Sequence, residues 1–327
     1  MTWRDTELTR LLGVELPIVQ APMAGGPTTP RLVAAVSEAG GLGSLGGALL
    51  NPDELRDQIR ETRALTRLPF AVNLFAPLPS PSAEGLAEWA AVVGVPIPEL
   101  RPIPRFEDQI AVIADERVRI FSFTFGIPPL VRLNGLDAFT IGTATTVTEA
   151  IALEAAGVHA VVAQGYEAGG HRATFLGPVE RSLIGTVALV PQLVDAVSMP
   201  VIASGGIMDG RGVAAALALG AQGVQLGTAF LSCDEAGTSR AQREALDGET
   251  VVTRVLTGRH ARAVRTPIVD SLESSGLRAP DYPLARRFLR EPPVLAGQGG
   301  ALVRRLPAGK LVETLAAETD AAVHRLI

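Results

Sequence analysis

Cysteine is nearly absent from this chain, which has 327 residues but a single thiol, Cys233. One cysteine excludes an internal disulfide and any metal site built from several thiolates, and it fits the reducing cytoplasm, where we expect the protein. Histidine is also scarce, with four residues. A metal site needs two or three clustered ligands, and Glu167 and His171, which are four residues apart, have no third ligand beside them in the sequence. The sequence therefore predicts no metal.

Basic runs and long apolar runs are both missing. Lysine occurs once and the formal net charge is −5, so nucleic acid is not an expected partner. The first 17 residues are charged and lack the apolar core of a signal peptide. The longest apolar stretch, residues 213–230, contains Gln222 and Gln225 and is typical of a helix, a turn and a buried strand. We expect no membrane association, and either a monomer or a homodimer.

Short apolar runs recur eight times between residues 17 and 230, and each is followed by a turn and a helical pattern. This alternation indicates parallel strands joined by helical crossovers. Eight such units predict an α/β fold, a (β/α)8 TIM barrel. A doubly wound sheet is the alternative, although it would usually have fewer strands. The runs are residues 17–23, 41–47, 70–76, 118–126, 138–144, the run that begins at Val161, 200–207 and 223–230.

Residues typical of helix N-termini mark several crossovers. Thr29, which a proline follows, can cap the helix after the first strand. Asn51 and Glu54 predict the start of the next helix, because asparagine accepts from free amides and glutamate favours the positive helix end. Thr146 and Glu149 have the spacing of a capping box.

Three glycines, Gly41, Gly43 and Gly46, spell the pattern G-x-G-x-x-G. In a dinucleotide-binding fold these glycines follow a strand and open a helix. Here a helical pattern precedes them and the next helix is predicted only near Pro52, so we interpret them as a strand of small residues that neighbouring backbone or a flat ligand approaches closely. The G-x-S-x-G motif of serine hydrolases does not occur.

Two segments fall outside the alternation. Residues 77–117 contain seven prolines between the third and fourth strands, and residues 231–327 follow the last strand. Both leave from the C-terminal ends of strands, where barrel active sites form. We expect residues 1–76 and 118–230 to form the barrel, and 77–117 with 231–327 to form a smaller, mainly helical cap over its mouth. The alternative for the last residues is that they pack on the barrel and not in the cap.

The glycines after the last two strands predict a phosphate site. Gly205 and Gly206 end the seventh run, and Gly227 and Thr228 lie in the eighth. Glycine lets backbone amides approach an anion, and a helix that begins near Asp209 would add its positive end. Ordinary tight turns are the alternative interpretation.

His171 is the candidate catalytic residue, because among the four histidines it alone follows the C-terminal end of a predicted barrel strand, directly after Gly169 and Gly170. A histidine that only orders its loop is the alternative. Other polar residues, such as Asn73, Thr124 and Gln164, also fall late in their strands, although a buried amide is more often structural than a ligand contact.

The motifs together resemble the nitronate monooxygenase family, formerly called 2-nitropropane dioxygenases, and its bacterial class I branch in particular. The resemblance covers nearly the whole chain. It rests on the segments PIVQAPMAGG, FAVNLF, FSFTFGIP, AVVAQGYEAGGHRATF, VIASGGI, GVQLGTAF, TRVLTGRHARAV and YPLARRFL, in this order. It implies a barrel that binds FMN and oxidises alkyl nitronates with O2 to carbonyl compounds and nitrite. Nitroalkanes are a further candidate substrate class.

The resemblance also implies roles for individual residues. His171 matches the active-site histidine, which would be a donor or cation for a nitronate or the base that removes the α-proton of a neutral nitroalkane. As a base, it would make nitroalkane oxidation rise with pH. The implied substrate pocket comprises Met23, Thr124, His171 and Tyr282. The implied FMN site comprises Ala21, Pro22, Met23, Asn73, Gln164, Gly169, Gly170, Ser204, Gly205, Gly206, Gln225, Leu226, Gly227 and Thr228.

Two departures from the family pattern affect the expected substrate. The family usually continues G-H-R-G, whereas Ala173 stands here in place of the last glycine, and the tail around Tyr282 is short. Glu167 would orient either its loop or the histidine. An FMN-dependent NAD(P)H reductase of quinones or enoyl thioesters is the first alternative function, and a flavin-binding protein without turnover is the second.

Overall fold

Eight parallel strands form a nearly closed barrel, which confirms the predicted (β/α)8 fold. The computed structural model describes residues 2–99, 102–129 and 136–325. The barrel strands are β1 Ile18–Gln20, β2 Gly43–Gly46, β3 Phe70–Phe75, β4 Ile120–Thr124, β5 Phe139–Ala144, β6 Ala160–Gln164, β8 Val201–Ser204 and β9 Gly223–Leu226. A two-residue strand, β7 Gly170–His171, lies outside the barrel.

The strand order is β1-β9-β8-β6-β5-β4-β3-β2, and β1 then meets β2. A parallel bridge joins Val19 to Leu42, where the Leu42 amide donates to the Ile18 carbonyl and the Gln20 amide donates to the Leu42 carbonyl, each at 2.9 Å. Contact between the first two strands excludes the alternative of an open doubly wound sheet, whose edge strands stay apart. At the N-terminal end of the barrel, Leu8 and Leu12 pack against interior side chains, so this end is closed.

Helices alternate with the barrel strands. The α-helices of the described residues are α1 Glu7–Leu12, α2 Pro30–Glu38, α3 Pro52–Leu65, α4 Leu86–Val93, α5 Phe106–Asp115, α6 Val147–Ala155, α7 Thr186–Ala196, α8 Gly210–Ala218, α9 Arg240–Glu244, α10 Pro267–Ser274 and α11 Ala308–His324. Short 3-10 helices span Val179–Ser182, Thr228–Phe230, Ala285–Phe288 and Gly300–Leu302. None of the helices in the described part of the chain is long and apolar enough to cross a membrane.

The predicted helix starts are confirmed, with one difference in detail. Thr29 accepts from the Leu32 amide, and Asn51 and Glu54 form a reciprocal capping box. Thr146 caps α6 by accepting from the Glu149 amide, but the Glu149 carboxylate does not return to Thr146. It is fully buried and accepts instead from the Thr145 amide and hydroxyl and from two amides of the loop after β7. The Glu149 carboxylate therefore serves as the buried acceptor for this loop and does not form the second hydrogen bond of the capping box.

A three-stranded antiparallel sheet, which the sequence did not predict, lies over the barrel mouth. It consists of β10 Thr250–Thr253, β11 Ala261–Val264 and β7, in the order β10-β11-β7. β11 pairs His171 with Ala261 and Gly170 with Arg262. The pairing joins segments about ninety residues apart, and two residues are too few to show a strand periodicity.

The cap has a core of its own. Leu86 and Trp89 of α4 pack with Val269, Leu272 and Phe288 from the C-terminal segment. Two other helices pack on the barrel: α5 contributes to the main core, and α11 lies against α8 and α2. On these contacts we propose that the cap comprises α4 and the segment from 231 to about 303, and that α5 and α11 belong to the barrel.

The three glycines of the G-x-G-x-x-G pattern are explained by close packing of the backbone. A Cβ on Gly43 would overlap the carbonyl oxygen of Val33, and one on Gly46 would lie 2.7 Å from the Ala24 nitrogen. A helix precedes β2 and the next helix begins at Pro52, as the sequence indicated.

Gly43→Ala should therefore destabilise the barrel. The new methyl group meets backbone atoms that only a shift of α2 can move, so we expect a loss of about 1–3 kcal/mol in the free energy of unfolding. Urea denaturation measures it. Gly309→Ala is the matched control, because its Cβ would meet only ordinary contacts at 3.7–3.8 Å. Equal stability of the two variants would contradict the packing explanation.

Candidate active site

A cavity of about 460 Å³ lies between the C-terminal ends of the barrel strands and the cap. This volume is within the usual range of small-molecule sites. Every residue that the sequence placed in the site lines the cavity, where strands β1, β3, β4, β6, β8 and β9 end. These residues are Ala21, Pro22, Met23, Asn73, Thr124, Gln164, Gly169, Gly170, His171, Ser204, Gly205, Gly206, Gln225, Leu226, Gly227, Thr228 and Tyr282.

The loop after β6 is held by a buried arginine, Arg172, which is 1% exposed. Its guanidinium donates to the carbonyls of Gly165 at 2.7 Å, of Gln164 at 3.1 Å and of Ser182 at 2.8 Å. Burial lowers the pKa of Arg172 to about 10, so it keeps its charge at neutral pH. A buried cation needs such acceptors, because an unpaired charge in the interior is costly. The arginine after the histidine thus orders the loop and does not line the cavity.

A second buried arginine, Arg262 of β11, ties the same loop to the cap. Its Nε and Nη2 donate to the Tyr166 carbonyl at 3.1 and 3.0 Å, and its Nη1 donates to the Thr250 hydroxyl at 3.0 Å. The guanidinium also stacks over the Tyr166 ring at 4.4 Å. Together with the β7–β11 pairing, these contacts fix the position of His171.

Gln164 is engaged within the loop. Its Nε2 donates to the His171 carbonyl at 3.0 Å, and its Oε1 accepts from the Ala173 amide at 2.9 Å. One N–H of the side-chain amide remains for a ligand. Ala173 is fully buried and its φ is not positive, so the alanine in place of the family's glycine causes no backbone strain.

Glu167 orients its loop and not the histidine. Its carboxylate accepts from the Thr186 amide at 2.9–3.0 Å and from the Thr186 hydroxyl at 2.8 Å. Thr186 is the first residue of α7, where a carboxylate is favoured by the free amides and the helix dipole.

His171 lies half-buried among aromatic rings. Its ring centroid is 5.0 Å from that of Tyr282 and 5.7 Å from that of Phe125. Burial, together with the charges of Arg259 and Arg286, lowers the pKa of His171 to about 3. A pKa of about 3 makes the imidazole neutral at physiological pH, which favours the hydrogen-bond donor over the cation among the two roles expected for a nitronate.

The hydrogen bonds around Thr257 select the tautomer of His171. The Thr257 hydroxyl donates to the Arg259 carbonyl at 2.9 Å, so its only hydrogen is used. The 3.1 Å contact between Thr257 Oγ1 and His171 Nε2 must then have the imidazole as donor. Nδ1 consequently carries the lone pair, and it bonds to none of the described residues.

Four rings form a continuous aromatic cluster, which the sequence did not predict: Phe75, Phe125, His171 and Tyr282, with centroid separations of 4.5–6.1 Å. Phe125 has a φ of 77°, a left-handed conformation that is uncommon for a bulky residue and occurs mostly where the surrounding structure enforces it. The Arg259 guanidinium lies 4.0 Å above the Phe125 ring. Burial raises the pKa of Tyr282 to about 12, so its phenol stays protonated.

The glycine turns after β8 and β9 offer free amides, but the neighbouring helix does not. Within the described residues, the Gly206 and Gly227 amides donate to no protein acceptor. The first amides of α8 are taken: Asp209 accepts from Arg211 and Gly212, and Glu318 accepts from Gly210. The prediction that this helix end contributes to an anion site is therefore wrong, because two carboxylates already accept from its first amides.

Sequence comparison connects the chain to proteins of one description. A family profile described as nitronate monooxygenase matches residues 5–318. A probable nitronate monooxygenase of Staphylococcus aureus (strain Newman) is 43% identical over 300 residues, which cover 86% of this chain and 84% of that protein. Another from Staphylococcus saprophyticus is 40% identical and covers 98% of this chain and 99% of its own.

Comparison with solved structures finds further similar proteins. A nitroalkane oxidase from Streptomyces ansochromogenes matches with a TM-score of 0.89 at 40% identity, over 98% of this chain and 99% of that one. FabK from Thermotoga maritima matches with a TM-score of 0.74 at 31% identity, over 98% of both chains. The enoyl reductase domain of MlnA from Bacillus amyloliquefaciens has 12% identity and a TM-score of 0.63, so it shares the fold alone.

The depressed pKa of His171 predicts an imidazole that does not titrate between pH 5 and 8. The unfolded imidazole takes up its proton near 6.5 and the folded one near 3. Acid thus favours unfolding, and the free energy of unfolding should fall between pH 6.5 and 3 by at most about 1.4 kcal/mol per pH unit from this group. NMR of the imidazole signals, assigned with His171→Gln, tests it. A His171 signal that titrates near pH 6.5 would contradict the burial argument.

Proposed function

The chain belongs to the nitronate monooxygenase family, and we propose that it binds FMN in the barrel mouth and uses O2 to oxidise alkyl nitronates to carbonyl compounds and nitrite. The observation that carries this proposal is the cavity itself. It combines free backbone amides in two glycine turns with a neutral histidine inside an aromatic cluster.

The residues present fit an FMN. The free amides of Gly206 and Gly227 suit a phosphate, because small residues leave the backbone open to an anion. The segment Ala21–Met23 lies beside Gly227 and offers an apolar wall for a flat ring. Asn73 and Gln164 would meet the polar edge of that ring. When bound, FMN would supply the electron-accepting group and the means of passing electrons to O2.

The protein's own residues would bind and orient the nitronate. A nitronate is already deprotonated, so its oxidation requires no base. An imidazole with a pKa of about 3 is a weak base at pH 7, because general-base efficiency is best when the pKa is near the working pH. We therefore propose nitronates, and not neutral nitroalkanes, as the substrates. The ring cluster of Phe75, Phe125 and Tyr282 would exclude water around them.

The bound cofactor should be FMN and not FAD. Heat release followed by chromatography identifies it, and recovery of FAD would overturn the assignment. Gly227→Ala sharpens the test, since the Gly227 φ is −107° and the new Cβ would meet only the Ala21 Cβ at 3.5 Å and the Met23 sulfur at 3.9 Å. We expect FMN affinity to fall roughly tenfold or more, about 1.4 kcal/mol, while the apoprotein unfolds like the parent. Gly309→Ala, a substitution in helix α11, should leave the FMN affinity unchanged. Unaltered affinity in Gly227→Ala would remove this glycine from the site.

The protonation state of the substrate should decide the rate of its oxidation. Freshly dissolved nitroethane and preformed ethyl nitronate are compared at pH 7, with nitrite release and O2 consumption as readouts. We expect prompt turnover of the nitronate, and nitroalkane turnover that follows only its nitronate fraction. His171→Asn, at equal FMN content, should affect both forms alike.

Two results would change this proposal. Rapid oxidation of neutral nitroethane that falls about 10²–10⁴-fold in His171→Asn would make the histidine a general base despite its low pKa. Oxidation of NAD(P)H with a quinone or enoyl thioester, and no nitrite from nitronates, would instead favour the reductase alternative.

A further inference from the structure

Arg286 lines the cavity, and its guanidinium has no hydrogen-bond or ion-pair partner within the described part of the chain. It lies in the 3-10 helix Ala285–Phe288 of the cap, is half-buried and lines the cavity. Its guanidinium reaches the loop after β1, where a Cβ built on Gly25 would be 2.9 Å from Nη1 and 3.1 Å from Nη2. No hydrogen bond or ion pair of this guanidinium is formed with any of the residues 2–99, 102–129 and 136–325.

The other arginines near the cavity differ from Arg286 in this respect. Arg259 stacks on Phe125 and donates to the Thr174 and Arg172 carbonyls. Arg254 pairs with Asp281 at 3.7 Å. Their guanidiniums are held by the fold, whereas that of Arg286 is available to a ligand.

Among the described residues of the lining, no carboxylate forms an ion pair with this guanidinium. Glu167 is the only acidic residue among the described residues that line the cavity, and its carboxylate is engaged by Thr186. His171 and Tyr282 are neutral at physiological pH. The positive charge of Arg286 acts to lower the pKa of both groups, because it disfavours the imidazolium form of His171 and favours the phenolate form of Tyr282. Of the described residues in this part of the lining, Arg286 is charged, whereas His171 and Tyr282 are neutral, so this part of the cavity is electropositive.

We propose that Arg286 binds the anionic end of the substrate and makes the pocket selective for anions over neutral nitro compounds. A guanidinium presents two parallel N–H donors that match a planar group with two oxygens. Two such groups fit this chemistry: the nitronate itself, or a carboxylate carried elsewhere on the substrate. The inference deepens the proposed function and rests on it, since a nitronate is the anion assumed to react there.

Equilibrium binding tests the residue without turnover. Nitrite and acetate are titrated calorimetrically into the flavin-loaded parent, Arg286→Gln and Arg286→Lys. Arg290→Gln is the matched control, because Arg290 is exposed, lies four residues along the chain and does not line the cavity. We expect Kd to rise roughly 10- to 100-fold in Arg286→Gln, as for the loss of a charge-assisted hydrogen bond, with partial recovery in Arg286→Lys and no change in Arg290→Gln.

Kinetics then distinguish the two anionic groups. KM is measured for a plain alkyl nitronate and for one that carries a terminal carboxylate. If Arg286 meets the nitronate, KM rises for both substrates in Arg286→Gln; if it meets the carboxylate, KM rises only for the second. In either case kcat should change little, because uniform binding is lost.

The proposal is overturned if the parent binds neither anion, if Arg286→Gln binds them like the parent, or if Arg290→Gln loses as much affinity. A failure of the proposed oxidation would look different: nitrite and acetate would still bind through Arg286, but nitronates would not be consumed.

Discussion

The pairing of Gly170–His171 with Ala261–Arg262 joins the barrel to the cap, and the candidate site depends on it. Two hydrogen-bonded residues would be marginal alone, since isolated pairs of strands are rarely stable in water. Here Arg172 and Arg262 strengthen the connection from both sides, because each places a buried guanidinium on carbonyls of the loop after β6. The loop cannot move without leaving a buried cation unpaired, a change that typically costs several kcal/mol. His171 is consequently held in one position.

The same arrangement sets the electrostatics of the cavity. Covering the barrel mouth desolvates the imidazole, and the surrounding guanidiniums disfavour its protonated form, so His171 is neutral and has a lone pair on Nδ1. Burial lowers the pKa values of Arg172 and Arg259 and the charge of Glu149 acts to raise them, whereas the Arg286 guanidinium forms no ion pair within the described residues. A cavity with fixed positive charge and no free carboxylate favours an anionic ligand. The fold thus accounts for both the neutral histidine and the electropositive cavity.

The barrel and its rim were predictable from the sequence because they depend on local patterns. Strand runs, the Thr29 and Asn51 caps and the glycine turns all follow short-range rules, and parallel strands necessarily bring their C-terminal ends together. Two arrangements were not predictable: the β7–β11 pairing, and the aromatic cluster around Phe125. Both join residues that are far apart in the chain, and no periodicity of the sequence indicates such contacts.

Charge at the site also escaped prediction. Arg172, Arg259 and Arg286 are similar in the sequence, yet one is buried on carbonyls, one stacks on a ring and one faces the cavity. Only the tertiary structure decides which guanidinium stays free. Likewise, Asp209 and Glu318 occupy the start of α8, and the second of these comes from a helix 108 residues away in the chain.

Anaerobic mixing of the purified protein, loaded with FMN, with ethyl nitronate, nitroethane and NADPH in turn, while the flavin spectrum is followed, tests the central claim most directly. The account predicts rapid bleaching or a shift of the flavin absorption with the nitronate, a far slower change with fresh nitroethane, and none with NADPH. Prompt flavin reduction by NADPH with no response to the nitronate would contradict it.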